Sequence, residues 1–224
     1  AGFPGLALAQ PRANHISADL VAQQLQVRPG EAAMLAIRFR PDEGWHGYWE
    51  NPGDAGFGLA LDWELPEALS VGAPRYPVPT KLLIAGLMNH VYEGEHAVLL
   101  PLTVAPGALP GALPLRVKAR WLACTDEVCV PEQAALAVQI TVAANAASVP
   151  DNADFGRWQA ALPATLDQAG RLAVDGGKLR LAVPWPAGAA ISNPHFFLRQ
   201  DGLIDYAAVQ EVRRAGDELR LVLT

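Results

Sequence analysis

Residues 113–142 read LPLRVKARWLACTDEVCVPEQAALAVQITV. The first ten alternate: Leu115, Val117, Ala119 and Trp121 are apolar, and Arg116, Lys118 and Arg120 between them are cationic. A period of two marks a strand with one buried and one solvated face. Thr125 to Val128 is a short polar, acidic interruption, and Ala134 to Val142 returns to apolar strand formers. The stretch predicts a hairpin with strand 113–123, a turn at 125–128 and strand 130–142. Pro131 has no N–H for a ladder, so it belongs at an edge or a bulge.

The only two cysteines, Cys124 and Cys129, flank this turn with four residues between them. Cross-strand β-carbons lie about 4.5–5.5 Å apart, within reach of a disulfide after modest adjustment. Closing so short a loop stabilises by only about 2 kcal/mol, and a chain of 224 residues buries a sizeable core without that help. Three chemistries suit the pair: a structural bridge, reversible thiol–disulfide exchange, or two ligands of a metal that needs two more. Asp126, Glu127 and Glu132 are acidic neighbours, which disfavour a thiolate. A sluggish thiol argues against a self-activated oxidase or hydrolase and fits a relay in which docking supplies the rate.

Around the hairpin the composition is that of a packed protein: 51% hydrophobic, 18% charged, net charge −6. The charge argues against a nucleic-acid partner. No run reaches the eighteen or so apolar residues of a membrane span. The N-terminal AGFPGLALAQ carries Ala7-Leu8-Ala9 before Gln10, which resembles the end of a secretory signal; residues 1–14 are taken as a leader or signal remnant. Export also suits a disulfide.

The 20 Gly and 19 Pro cut the chain into short apolar segments, among them Ala33 to Phe39 and Ala97 to Val104. Many short strands at this spacing predict an all-β fold, a β-sandwich over residues 15–146. The pattern lapses between Val142 and Pro150. A second, smaller β-unit is expected over 147–224, with one helix from Asp151 to Leu162. There Asp151 is a candidate cap, Phe155, Trp158 and Leu162 share a face, and Pro163 stops the helix. Two hairpins follow, turning at Gly176-Gly177 and near Gly216-Asp217. The chain stops in mid-strand at Thr224, which reads as a piece of a longer protein.

Two further clusters carry chemistry. In GWHGYWENPGDAG (44–56), Trp45 and Trp49 are expected to share a strand face and fill the core, with His46 or Tyr48 outward. MNHVYEG (88–94) reads as a loop that either tucks onto a sheet edge or covers the disulfide through Tyr92. Met88 and His90 with the cysteines also make a soft ligand set for copper(I). His15, His96 and His195 stand alone and read as surface or structural. No Walker loop, dinucleotide fingerprint, nucleophile elbow, zinc-protease helix or C-x-x-C pair occurs, so no cofactor is expected.

Together GWHGYWENPGDAG, NHVYEGEHAVLLPLTV (89–104) and WLACTDEVCVPE (121–132) resemble the N-terminal periplasmic domain of the DsbD/ScsB group of thiol:disulfide interchange proteins. HFFLRQDGLIDYAAVQ (195–210) resembles the ScsB branch, and the likeness spans about residues 15–210. It implies an immunoglobulin-like β-sandwich bearing one redox disulfide, in the periplasm, on an inner-membrane protein. Electrons would arrive from membrane-embedded and thioredoxin-like domains of the same polypeptide. They would leave to periplasmic thioredoxin-fold partners of the ScsC, DsbC or DsbG kind. By position Cys129 matches the nucleophile and Cys124 the resolving thiol, while His90, Val91 and Tyr92 fall near the family's cap loop. The resemblance also brings an association with copper tolerance. Two other readings stand beside it: a non-enzymatic exported binding module with a structural disulfide, and a copper(I)-binding domain.

Overall fold

The structure is a computed structural model that describes residues 13–145 and 152–224. The expected leader, except Ala13 and Asn14, and Asp151 lie outside the described residues. In chain order the first strands are β1 (Ile16–Ala22), β2 (Gln26–Val27), β3 (Ala32–Pro41), β4 (Gly47–Gly53), β5 (Ala60–Glu64) and β6 (Leu69–Val71). Next come β7 (Thr80–Ile84), β8 (Leu87–Tyr92), β9 (His96–Val104), β10 (Gly111–Cys124) and β11 (Cys129–Val142). Helix α1 (Asp154–Ala160) precedes β12 (Arg171–Asp175), β13 (Lys178–Pro184), β14 (Glu211–Ala215) and β15 (Glu218–Leu223).

Two four-stranded sheets, β1-β3-β9-β6 and β2-β11-β10-β5, face each other as an immunoglobulin-like sandwich. Their inner faces follow from alternation: Leu35, Ile37 and Phe39 from β3 and Val98, Leu100 and Leu102 from β9 meet Leu115, Val117, Ala119 and Trp121 from β10. Arg116, Lys118 and Arg120 face outward, and Arg120 pairs with Asp62 of β5 at 3.0 Å. The β10–β11 pair runs unbroken from Gly111↔Val142 to Cys124↔Cys129. Pro131 lies where β11 has no second strand beside it, since β2 pairs only with Thr141 and Val142. Glu132 turns inward. It accepts hydrogen bonds from the His15 and Ile16 amides and from Trp121 Nε1, tying the start of β1 to the hairpin.

The outer face of the first sheet is closed by α1, whose Phe155 and Trp158 pack on Ala36, Ala97 and Leu99. The helix is shorter than Asp151–Leu162. Asn152 Oδ1 accepts the Asp154 amide at 3.0 Å, and Leu162 packs against the cluster just past the helix end. The C-terminal sheet, ordered β12-β13-β15-β14, is built from the two expected hairpins. Gly176 and Gly177 both have positive φ, 57° and 74°, the two-residue turn that suits the strand twist and that other residues resist.

A third sheet, β4-β8-β7, departs from expectation. The segment read as a loop at 88–94 is largely strand β8, paired with both β4 and β7. Nor do Trp45 and Trp49 share a face, because the chain turns at Asp42–Trp45, before β4 begins at Gly47. Trp45 stacks on His15 with ring centroids 3.6 Å apart. Trp45 still packs against the sandwich core; Trp49 is buried too but faces Phe197 at 5.9 Å, and His46 and Tyr48, one of which was expected outward, are both buried.

Candidate functional site

The site sits where the third sheet crosses the end of β10. On that strand the outward face changes character: after the exposed Arg116, Lys118 and Arg120 come the buried Leu122 and Cys124. Tyr48 from β4 and Val91 from β8 bury them, with Leu82 of β7 packed alongside. His46, one residue before β4, exchanges both backbone hydrogen bonds with Cys124, at 2.8 and 3.0 Å.

Cys124 and Cys129 are joined as a disulfide across the last pair of the hairpin, with α-carbons 4.1 Å apart. Thr125 shapes the turn. Its amide bonds to Val128 O at 2.8 Å, and its Oγ1 accepts the Glu127 and Val128 amides at 3.2 Å each. The two sulfurs have unlike surroundings. Cys124 is 0% exposed, and Tyr48 Oη donates to its Sγ at 3.3 Å. Cys129 is exposed beside Val128, Glu127 and Asp126, themselves exposed. Burial pushes the Tyr48 phenol above its usual pKa, so it remains a donor. Burial also pushes the His46 imidazole below its usual range, against the opposing pull of Asp126 and Glu93.

Tyr48 is held in place by a close backbone approach. A β-carbon on Gly56 would lie 2.4 Å from the Tyr48 ring. Gly56 also has φ +94°, a region that side-chain-bearing residues resist.

The residues expected at a cap are dispersed by the alternation of β8. Val91 faces Cys124. Tyr92 is buried elsewhere: its hydroxyl donates to Pro77 O at 2.7 Å and its ring stacks on His96 at 4.1 Å. His90 points away from Val91, toward the C-terminal unit. Its Nδ1 donates to Asn51 O at 3.0 Å and its ring meets Phe197 at 5.1 Å and Tyr206 at 5.5 Å. Met88 shares the His90 side by alternation, so the four residues of a copper(I) site are not brought to one place. His195 is less isolated than its sequence position implies, with its ring 4.6 Å from Phe197 and 6.3 Å from His90. Burial pushes it down to about 4.

Tyr48, His46, Leu82 and Thr125 were not among the expected site residues. One signal for them is present in the sequence: the break from cationic to apolar on one face of β10 announces a covering layer.

The family described as thiol:disulfide interchange protein DsbD, N-terminal, matches residues 13–140, more than half of the chain and including both cysteines. No curated protein sequence matches the chain. Among solved structures, the N-terminal periplasmic domain of ScsB from Proteus mirabilis aligns with a TM-score of 0.60 at 18% identity, over 96% of this chain and 82% of that one. The Neisseria meningitidis DsbD N-terminal domain in the reduced form aligns at 0.34 and 16% identity, over 55% of this chain and 83% of that one. The ScsB likeness is one of fold, whereas the family match covers the hairpin, both cysteines and the strands that bury Cys124, and on it the chain belongs to the family of DsbD N-terminal domains, modules of thiol–disulfide exchange.

Proposed function

We propose that this protein is a periplasmic protein-disulfide reductase module that passes electrons to thioredoxin-fold partners through Cys124 and Cys129. The observation that carries the reading is the asymmetry of the two sulfurs, one exposed at a turn and one fully buried. In the dithiol form the exposed Cys129 thiolate attacks a partner's disulfide. A mixed disulfide forms and the partner's other sulfur leaves. Cys124, paired with Cys129 across the hairpin, then attacks Cys129, releasing the reduced partner and restoring the bridge. A buried resolving thiol is kept from competing with Cys129 for the partner or for small oxidants.

The covering element is assigned to Val91 of β8, which shares a buried cluster with Cys124, and to Leu82 of β7, which packs against that cluster; Tyr92 and His90 shape the strand behind them. Residues 15–146 serve as the redox domain and 147–224 as a second domain. Re-reduction comes from thioredoxin-like and membrane-embedded parts of the same polypeptide, at the periplasmic face of the inner membrane. No described helix is long and apolar enough to cross a membrane.

The test is trapping. Cys124→Ala leaves Cys129 without its resolving thiol, so a thioredoxin-fold partner should accumulate as a mixed disulfide that reductant releases. The reduction potential of the pair, read by alkylation across thiol buffers, should lie above about −300 mV, the range of exchangeable bridges. No trapped partner together with a potential below that value would mark a structural bridge instead.

A further inference from the structure

If Cys124 is the resolving thiol, as proposed above, its proton must go somewhere when it attacks. The wall around it is almost wholly apolar: Val91, Leu122 and Leu82 offer no base, and Tyr48 is already a donor to the sulfur. His46 is the exception. It stands directly opposite Cys124, bonded to it through both backbone groups at 2.8 and 3.0 Å. Residues paired in this way carry their side chains on the same face, with β-carbons about 5.5 Å apart or less. The imidazole is buried, with the residue 2% exposed, and its Nε2 meets no hydrogen-bond partner among the described residues.

An orphaned polar nitrogen in such a place is costly, and a phenylalanine or leucine would fill the space without that cost. The groups that face it explain how it could serve. From β4 the Tyr48 ring lies edge-on at 5.5 Å, and β10 brings the Cys124 sulfur. Beyond them are the carboxylates of Asp126 in the turn and Glu93 after β8, which favour the imidazolium. Burial meanwhile keeps the resting ring neutral and able to accept.

We propose that His46 is the proton acceptor that activates Cys124 for the resolving step, and the donor that returns the proton when the bridge is reopened. In the mixed disulfide, Cys129 Sγ is bonded to the partner's sulfur. The Cys124 thiol passes its proton to His46 Nε2 as its sulfur attacks Cys129 Sγ. The Cys124–Cys129 bond forms, the Cys129–partner bond breaks, and the electron pair leaves on the partner as a thiolate. One thiol and one neutral imidazole become one imidazolium and one thiolate, so charge and electrons balance. The imidazolium then loses its proton to solvent through the turn. In the reverse direction an incoming thiolate attacks Cys129, and the imidazolium protonates the departing Cys124 sulfur.

The experiment uses the reduced protein and one equivalent of an aromatic disulfide, dithiobisnitrobenzoate, followed by stopped flow. The first nitrothiolate released reports attack by Cys129, and the second reports resolution by Cys124. With an internal base, the second phase of the wild-type protein should change by less than about threefold between about pH 6 and pH 8. In His46→Gln the thiol must ionise to solvent, so that phase should climb about tenfold per pH unit and lie at least about a hundredfold below wild type near pH 7. A wild-type second phase that itself climbs tenfold per pH unit overturns the proposal, and this needs no variant to fold. So does a His46→Gln protein that keeps the flat profile. Failure of the exchange reading looks different: the flat profile would persist while Cys124→Ala traps no thioredoxin-fold partner.

Discussion

Tyr48→Phe removes one oxygen from the wall around the buried sulfur and leaves the ring. Tyr48 Oη donates to Cys124 Sγ at 3.3 Å, and its raised pKa keeps the proton in place through the neutral range. A hydrogen bond to a neutral acceptor contributes about 0.5–1.5 kcal/mol, and one to an ionised acceptor about 1.5–3 kcal/mol. The midpoints differ by roughly 1.2 kcal/mol, which favours the thiolate over the thiol and corresponds to just under one pKa unit. Removing a donor to the charged form makes that form harder to reach, so the Cys124 pKa should rise by about one unit. The measurement is the thiolate ultraviolet absorbance across a pH series, in a Cys129→Ala background where a single thiol titrates. Because Cys124 is fully buried, absorbance is preferable to alkylation, which would report access. A titration of the double variant that coincides with Cys129→Ala alone, or lies below it, would refute the idea that the phenol supports the sulfur.

Gly56→Ala should act on the same ring from behind. The new methyl would meet Tyr48 at 2.4 Å in a backbone region hostile to side chains, so a lower melting point, by about 1–3 kcal/mol of stability, should accompany slower resolution; wild-type behaviour in both would count against it. Trp158→Ala strips the helix from the first sheet's outer face and should cost about 3–5 kcal/mol by denaturant titration, with a loss below 1 kcal/mol showing that α1 is not packed as described. Asn51 donates to Leu198 O at 2.7 Å and Tyr206 Oη at 3.1 Å from a buried position, so Asn51→Ala should cost about 1–3 kcal/mol. Arg199→Ala breaks an ion pair with Glu50 whose arginine is 71% exposed and should cost under about 1 kcal/mol; equal losses from the two would contradict this assignment of the interface. His96, stacked between Tyr92 and Phe39, is pushed by burial down to about 4 from 6.5. Between those values the unfolded chain holds the extra proton, so stability should fall with falling pH at up to about 1.4 kcal/mol per unit. His96→Gln should flatten that slope, and an unchanged slope would assign it to other groups.

Where a single period governed a segment, the sequence reading and the structure agree. Leu115, Val117, Ala119 and Trp121 are buried as their alternation requires, the hairpin turns where the acidic residues interrupt it, and the Gly176-Gly177 turn falls as placed. Alternation carries no signal where a strand is covered on both sides. Residues 88–92 show no alternation because Val91 packs against Cys124 while His90 packs against Phe197 and Tyr206, so both faces are buried and a strand passed for a loop. The i, i+4 spacing of Trp45 and Trp49 mimics a shared strand face, but no propensity scale marks the point where the turn at Asp42–Trp45 ends and β4 begins. The helix starts at Asp154, just after Asn152, whose side chain accepts the Asp154 amide.

The cysteines were legible because their chemistry is local, and the rest of the site was not, because a second layer assembles it. Nothing in the hairpin itself distinguishes Cys124 from Cys129: both end a strand and both face the turn. The difference arises only when β4, β7 and β8 are laid across the outer face of β10, which buries Leu122 and Cys124 and stops short of Cys129. The same sheet turns its other side to the C-terminal unit, where Asn51 and Arg199 hold β4 to residues 198–206. Strand β4 is therefore clamped on one side while it presents Tyr48 to the sulfur on the other. An exposed nucleophile needs only a turn; a resolving thiol that is hidden from solvent yet within reach of its partner sulfur needs a rigid wall. The C-terminal unit's contacts fall on the strand from which that wall is built.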